Sequence, residues 1–134
     1  MCQEIAASGT LTYNPEMRLT REFTFEAAHH LTRLPGGPEP SHGHTWRLHV
    51  SLEGPVRPDG MVFDFVKLGD VVKKKVLNRL DHTDLNRVIP NPSAERVALW
   101  VWKQLKGLPL LAEVQVWECQ GCSVAYRGEH KEKP

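Results

Sequence analysis

The sequence predicts an α+β domain with the element order β-β-α-α-β-β, in which a four-stranded antiparallel sheet carries two helices on one face. Three observations lead to this prediction. Apolar and polar residues alternate in two early segments and again in the C-terminal portion. Apolar residues recur at helical spacing in two segments between them, and glycine and proline mark the turns.

The composition is that of one globular domain, residues 1–134, with a formal net charge of +1. This charge gives no bias toward nucleic acid or a membrane surface. The apolar runs are too short to span a bilayer, and the N-terminus lacks the basic and apolar regions of a secretion signal. Three cysteines, which cannot all pair within one chain, favour a reducing compartment. We therefore expect a cytoplasmic protein.

The first predicted strand follows a loosely held lead-in, residues 1–16, so the folded core is expected over 17–128. From Arg18 onward one face is apolar, interrupted only by Arg21, and it ends in a histidine. Its members are Leu19, Phe23, Phe25, Ala27 and His29. The other face carries threonine and glutamate. This pattern is typical of a half-buried strand whose buried face ends at His29.

The second predicted strand follows a loop rich in proline and glycine, residues 34–40, and its apolar face begins with His42 and His44. If the two strands pair antiparallel, the end of the first lies beside the start of the second. His29, His42 and His44 then share one face, and three imidazoles with an open fourth position are typical of a catalytic zinc site. The alternative is strand-end histidines with ordinary hydrogen bonds, which we favour for His30 and His49 because they face the other way.

Two helices are predicted in the middle of the chain. The first follows Asp64, a possible N-cap, and the second begins near Asn91-Pro92-Ser93, with Asn91 or Ser93 as N-cap. Between them stand Asp81 and His82. A carboxylate that orients an imidazole is common in acid–base chemistry, although a helix C-cap role explains these two residues equally well.

The C-terminal segment predicts a β-hairpin that turns at Gln120-Gly121. One face of its first strand is apolar but ends in Glu118. A buried carboxylate needs partners, which the amine and amide groups of a ligand would supply, unless Glu118 simply reaches solvent. Cys119 and Cys122 flank the turn, and we interpret this single pair as structural.

Taken in order, several motifs resemble the 6-pyruvoyl-tetrahydropterin synthase and 6-carboxy-tetrahydropterin synthase family. They are Phe23-x-Phe25-x-Ala27-Ala28-His29, His42-Gly43-His44, Val62-x-Asp64-Phe65, Leu80-Asp81-His82-x-x-Leu85-Asn86, Pro92-Ser93-x-Glu95 and Glu118. The resemblance implies the tunnelling fold (T-fold), with trimers that close barrels and stack into a homohexamer. It also implies that the three histidines bind Zn²⁺, that Glu118 binds a pterin and that Ser93 lies near the pterin ring.

The resemblance further implies a zinc-dependent lyase acting on a small molecule, 7,8-dihydroneopterin triphosphate. The expected activity is 6-carboxy-tetrahydropterin synthase-like, serving queuosine-type deazapurine synthesis, with 6-pyruvoyl-tetrahydropterin synthase as a related alternative. In the family a loop cysteine before His-Gly-His usually serves as the base, helped by an Asp-His pair, here Asp81 and His82.

This sequence has no cysteine in that loop, and Glu39 is the obvious substitute. Glu-x-x-His-Gly-His resembles a branch of the family that forms 6-hydroxymethyl-7,8-dihydropterin for folate synthesis. A third hypothesis is a catalytically silent pterin-binding protein, in which Glu39 is merely an exposed loop residue.

Overall fold

The computed structural model describes residues 15–129. Its sheet is built around one long antiparallel strand pair. Strands β1 (Glu16–His29) and β2 (His42–Pro55) pair along their whole length. Each has fourteen residues, more than twice the usual length of about 5–6. The pairing predicted from the alternation of residues is confirmed, whereas most of the predicted lead-in lies outside the described residues.

Three further strands complete the sheet. β4 (Leu111–Cys119) pairs antiparallel with β2, and β5 (Cys122–Tyr126) pairs antiparallel with β4, which confirms the C-terminal hairpin. The sequence predicts four strands, but the sheet has a fifth, β3 (Thr83–Asp84), which pairs parallel with the end of β1. The strand order is β3-β1-β2-β4-β5. A strand of two residues produces no detectable alternation, so the sequence pattern cannot reveal it.

Helix α1 follows β2 and has three consecutive segments. It is α-helical over Phe65–Val72, π-helical over Lys73–Leu77 and α-helical again over Asn78–Leu80. Asp64 caps its start, because the side chain accepts a hydrogen bond from the backbone N–H of Val66 at 2.8 Å.

Helix α2 spans Ala94–Leu105. Its N-cap is Ser93 rather than Asn91, since the Ser93 hydroxyl accepts a hydrogen bond from the backbone N–H of Arg96 at 3.2 Å. Within residues 15–129, no helix is both long enough and apolar enough to cross a membrane.

Both helices pack on the sheet face that carries the apolar residues, as predicted. Trp46 of β2 connects this core to the histidine end of the sheet. Its ring stacks on Phe25 of β1, with centroids 5.9 Å apart, and its Nε1–H donates to the carbonyl of Ala27 at 3.2 Å. The same ring meets His29 edge-on, with centroids 4.9 Å apart. Trp46 and Phe25 are fully buried, so the position of His29 is set by close packing.

The opposite sheet face is polar. His49 of β2 contacts Glu22 of β1, with 2.7 Å between Nε2 and Oε1, and the guanidinium of Arg47 lies over the Trp117 ring at 4.2 Å. His49 therefore has an ordinary partner, as expected for a histidine outside the candidate metal set.

A cluster of charges lies at the end of the sheet opposite the histidines. Glu113 of β4 accepts hydrogen bonds from Arg127 at 2.8 Å and from Arg18 at 2.6 Å. The hydrogen bonds with Arg127 and Arg18 hold the pKa of the Glu113 carboxyl below its ordinary value, although partial burial opposes them. The folded state therefore favours the ionised form of Glu113.

We expect Glu113→Gln to lower the midpoint of thermal unfolding by a few degrees at neutral pH. Because the pKa of Glu113 is lower in the folded protein, its stabilising contribution is complete above the ordinary carboxyl pKa. That contribution disappears as the pH falls through the folded-state pKa. Calorimetric midpoints of wild type and variant should thus converge in acid, with Glu16→Gln as a control that matches wild type throughout. A difference that stays constant with pH would contradict this account.

Candidate metal centre and active site

Three histidines meet at one end of the β1–β2 pair. The register sets His29 opposite His42, and His44 follows two residues later on the same strand face. Their ring centroids lie between 4.7 and 5.2 Å apart. One ligand nitrogen from each ring lies within 4.8 Å of the others. The structure thus brings together the three histidines that strand parity predicted to share a face.

Backbone carbonyls orient two of these rings. His29 Nδ1 lies 2.7 Å from the carbonyl oxygen of Pro92, and His42 Nδ1 lies 3.0 Å from that of Pro40. Nδ1 must carry a proton to donate these bonds, and in the neutral imidazole Nε2 then keeps its lone pair. A hydrogen bond of this kind is the usual means by which proteins orient a metal-binding histidine.

The Nε2 atoms of His29 and His44 are buried and have no hydrogen-bond partner among the described residues. Leaving buried polar atoms without partners is costly, and a metal ion would satisfy both. Burial lowers the pKa of His44, and the charges of Glu118 and Glu39 only partly oppose this effect. The neutral imidazole is thereby favoured, which is the form that binds metal. The donor set fits a divalent cation such as Zn²⁺.

Glu118 extends from the end of β4 toward the same histidines. One carboxylate oxygen lies 3.5 Å from Nε2 of His29, and the other lies 3.9 Å from Nε2 of His44. The β4–β5 register shifts between Trp117 and Cys119, and such irregularities re-aim the side chain within them. The Glu118 side chain is 31% exposed, so a ligand beside the histidines can reach its carboxylate.

Glu39 lies in the loop that joins β1 to β2, and the loop holds it against the end of β1. Its side chain accepts a hydrogen bond from the backbone N–H of Leu31 at 2.9 Å, and its own N–H donates to the carbonyl of Leu31 at 3.1 Å. The residue is half-buried, and its negative charge raises the pKa of His44. Glu39 is therefore a fixed neighbour of the histidine cluster rather than a freely exposed loop residue.

Asn91, which precedes α2, binds the same loop by a hydrogen bond. It has a backbone φ of +48°, and its Oδ1 accepts a hydrogen bond from the backbone N–H of Thr32 at 2.8 Å. The next residue, Pro92, supplies the carbonyl that orients His29, and Ser93 then caps α2. Three consecutive residues thus position a loop, a candidate ligand and a helix. The sequence offered Asn91 only as a possible cap, because a contact across 59 positions leaves no local pattern.

Asp81 and His82 lie against the end of β1, near the sheet end that carries the histidine cluster. Asp81 accepts a hydrogen bond from the backbone N–H of Glu26 at 2.9 Å, and its other oxygen is 3.6 Å from Nε2 of His82. This distance permits charge pairing but is too long for a hydrogen bond. The His82 side chain is 79% exposed. An open cavity of about 410 Å³ is lined by His82 and by one histidine of the cluster, His44, and its full lining is Glu26, Ala27, Ala28, Gly43, His44, Thr45, His82 and Thr83.

Two further residues considered from the sequence, Ser93 and His30, are not members of the histidine cluster. Ser93 caps α2 with its hydroxyl oxygen, a role that leaves the O–H able to donate to a ligand. His30 is not part of the cluster, and its backbone N–H donates to Oδ1 of Asn86 at 2.9 Å. Its Nδ1 is buried and has no partner within residues 15–129, so the ordinary hydrogen bond expected for His30 is not found at that atom.

Residues 18–129 match the family model described as 6-pyruvoyl tetrahydropterin synthase. The chain belongs to this family. Members are named as tetrahydropterin synthases, which are lyases acting on small pterins, so the chain is an enzyme of the lyase class. The resemblance inferred from the motifs is confirmed.

Relatives in this family carry different names. The dihydroneopterin monophosphate aldolase of Pyrococcus furiosus is 38% identical over 105 residues, which cover 75% of this chain and 89% of the relative. The 6-carboxy-5,6,7,8-tetrahydropterin synthase of Synechocystis sp. is 36% identical over 116 residues, covering 80% and 88%. The structure of Caenorhabditis elegans 6-pyruvoyl tetrahydropterin synthase matches with a TM-score of 0.73 at 27% identity, covering 85% and 96%. The T-fold is therefore confirmed, while family membership leaves the product open.

We expect His44→Ala to weaken Zn²⁺ binding by more than about tenfold, because the variant lacks one of three convergent imidazoles. Titration against a chromophoric chelator measures this affinity, and elemental analysis after dialysis measures retained metal. His49→Ala is the matched control, since His49 lies on the polar face and bonds Glu22. Zinc affinity in His44→Ala equal to that of the control would exclude the proposed ligand set.

Proposed function

We propose that the protein is a zinc-dependent lyase that cleaves the side chain of 7,8-dihydroneopterin triphosphate and releases 6-hydroxymethyl-7,8-dihydropterin. The observation that carries this proposal is the Glu39 carboxylate, held by the Leu31 N–H beside the histidine cluster. The resemblance to the family implies a cysteine thiol as base in this loop, and here a carboxylate takes that position. A relative named as an aldolase, at 38% identity, supports carbon–carbon bond cleavage.

The proposed zinc ligands are the Nε2 atoms of His29, His42 and His44, with a fourth position open to substrate. Zinc held there would polarise the side-chain hydroxyls of the substrate and lower their pKa. The buried Nε2 atoms of His29 and His44, which have no hydrogen-bond partner among the described residues, support this assignment.

The proposed role of Glu39 is that of general base. It would take the proton of the hydroxyl on the second side-chain carbon, which becomes an aldehyde as the bond to the first carbon breaks. The bonding electrons pass to the first carbon, conjugated with the pterin ring, and that carbon then takes up a proton. A carboxylate can accept a hydroxyl proton whose pKa zinc would lower, and this is the proton that the proposed cleavage requires.

Asp81 and His82 are the proposed acid–base partners of Glu39. Asp81 is fixed to β1 through the Glu26 N–H and lies 3.6 Å from the His82 ring, so it can stabilise an imidazolium. His82 and His44 line the same cavity, which supports proton delivery from His82 to the first side-chain carbon.

Glu118 and Ser93 are the proposed contacts to the pterin ring. The Glu118 carboxylate would accept hydrogen bonds from the amino and ring N–H groups of the pterin. Such hydrogen bonds are stronger when the acceptor is ionised. Its position 3.5 Å from Nε2 of His29 would hold the ring next to the metal centre. The Ser93 hydroxyl would donate to a ring acceptor.

We further propose a homohexamer built from two barrel-forming trimers. Within residues 15–129, β5 has one strand neighbour, and β3 covers β1 only at Ala27 and Ala28. Pairing of these open edges between copies would remove them, and the polar sheet face would then line the barrel.

The second candidate function is formation of 6-carboxy-tetrahydropterin from the same triphosphate, as expected from the resemblance alone. The Synechocystis relative, at 36% identity over most of the chain, supports it. The two candidates share the metal centre and the pterin contacts, and they differ in which bond of the side chain breaks.

Product analysis distinguishes the two candidates. The zinc-loaded protein is incubated with 7,8-dihydroneopterin triphosphate, and separately with the monophosphate, and pterins are identified by chromatography and mass spectrometry. We expect 6-hydroxymethyl-7,8-dihydropterin together with an equal amount of phosphorylated glycolaldehyde. A carboxylated pterin would support the second candidate instead, and unchanged substrate in both incubations would contradict both.

We expect Glu39→Gln to lower kcat by about 10²–10⁴-fold while zinc content stays equal to wild type, because the amide cannot accept the hydroxyl proton. Steady-state kinetics and elemental analysis on the same preparation measure both quantities. Glu16→Gln, an exposed residue at the far end of β1, is the matched control and should retain full activity. If Glu39→Gln turned over at the rate of the control, Glu39 would not be the base.

A further inference from the structure

Cys119 and Cys122 are direct partners across the tip of the β4–β5 hairpin. Two residues, Gln120-Gly121, join them, and Gly121 has a φ of +86°, which suits the tight hairpin turn. Both thiols are free, and in the single chain Cys122 is exposed and Cys119 is partly exposed. Neither thiol has a part in the proposed lyase chemistry.

The hairpin register gives these two residues the spacing of a disulfide. Directly opposite residues of an antiparallel pair have Cα atoms about 4.5–5.5 Å apart, and disulfides span Cα distances of about 4.4–6.8 Å. The backbone of Cys119 and Cys122 therefore needs little movement for the bond to form. A hydrogen bond between the two thiols, which raises the pKa of Cys119, is consistent with side chains that face one another.

Metal binding is a weaker explanation for the pair. Two thiolates supply half of the four ligands of a structural zinc site. Among the residues described by the structure, the only group of three or more convergent metal-binding side chains is the histidine cluster, and it does not include either cysteine.

We propose that Cys119 and Cys122 are a dithiol that closes reversibly to an intramolecular disulfide, with a low-molecular-weight disulfide such as oxidised glutathione as the oxidant. The exposed Cys122 attacks the oxidant as its thiolate, forms a mixed disulfide and releases one thiol. The Cys119 sulfur then loses its proton, attacks the Cys122 sulfur and releases the second thiol. Two cysteine thiols are oxidised and one oxidant disulfide is reduced, so electrons and atoms balance.

The location of this bond bears on the active site. Cys119 directly follows Glu118, whose carboxylate lies 3.5 Å from Nε2 of His29. A disulfide at the tip would restrain the end of β4 that carries Glu118. Formation of the disulfide itself does not depend on the proposed lyase function, because it requires only the hairpin register.

The test uses the full chain as Cys2→Ser, which leaves Cys119 and Cys122 as its two cysteines. The protein is treated with oxidised glutathione and then analysed under denaturing conditions by thiol titration, intact mass and a non-reducing gel. We expect loss of both thiols, a mass lower by two hydrogen atoms and migration as a monomer. Dithiothreitol should restore both thiols.

The matched control is the double variant Cys2→Ser, Cys122→Ser, in which Cys119 lacks its partner. Any reaction of this variant should stop at a glutathione adduct of Cys119, since a second thiol is required to displace glutathione. In the Cys2→Ser protein, a stable glutathione adduct, disulfide-linked dimers or two thiols that still titrate after treatment would each overturn the proposal.

Discussion

The register of the β1–β2 pair is the constraint on which the active site depends. It sets His29 opposite His42 and places His44 on the same face. A slip of one residue would turn the histidines of one strand toward the polar face. The core prevents such a slip, because Phe25 lies opposite Trp46 and their stacked rings are fully buried. The packing that stabilises the fold therefore also determines the arrangement of the three histidines.

Residue patterns predicted the long strands, the hairpin and the meeting of His29 with His42 and His44, because alternation reports directly on which face a side chain occupies. Backbone partners could not be predicted in this way. The carbonyls that orient His29 and His42 belong to prolines and have no side-chain signature. β3 is too short to show a pattern, so the position of the chain at Asp81 and His82 also required the structure.

The candidate site separates into residues that stand on strands and one that stands in a loop. The three histidines stand on the paired strands β1 and β2, whose register fixes their spacing, and Glu118 stands at the register shift near the end of β4. Glu39 stands in a loop, where the Leu31 backbone and the loop's link to Asn91 hold it in place. Loops tolerate substitution more readily than strands, and relatives with different reaction names share this scaffold. A change of residue type in the loop would therefore leave the strands that hold the histidines unaltered.

The loop between β1 and β2 is tied down near both ends, through Thr32 to Asn91 and through Glu39 to Leu31. Its tip is different, because Gly36 and Gly37 are exposed, have φ values of +91° and +105° that favour glycine, and have no neighbouring atom within 4 Å of a Cβ position. Lengthening a surface loop at such a point costs only a slowly growing closure entropy. The tip is therefore the point of the loop where we expect extra chain to disturb the histidine cluster least.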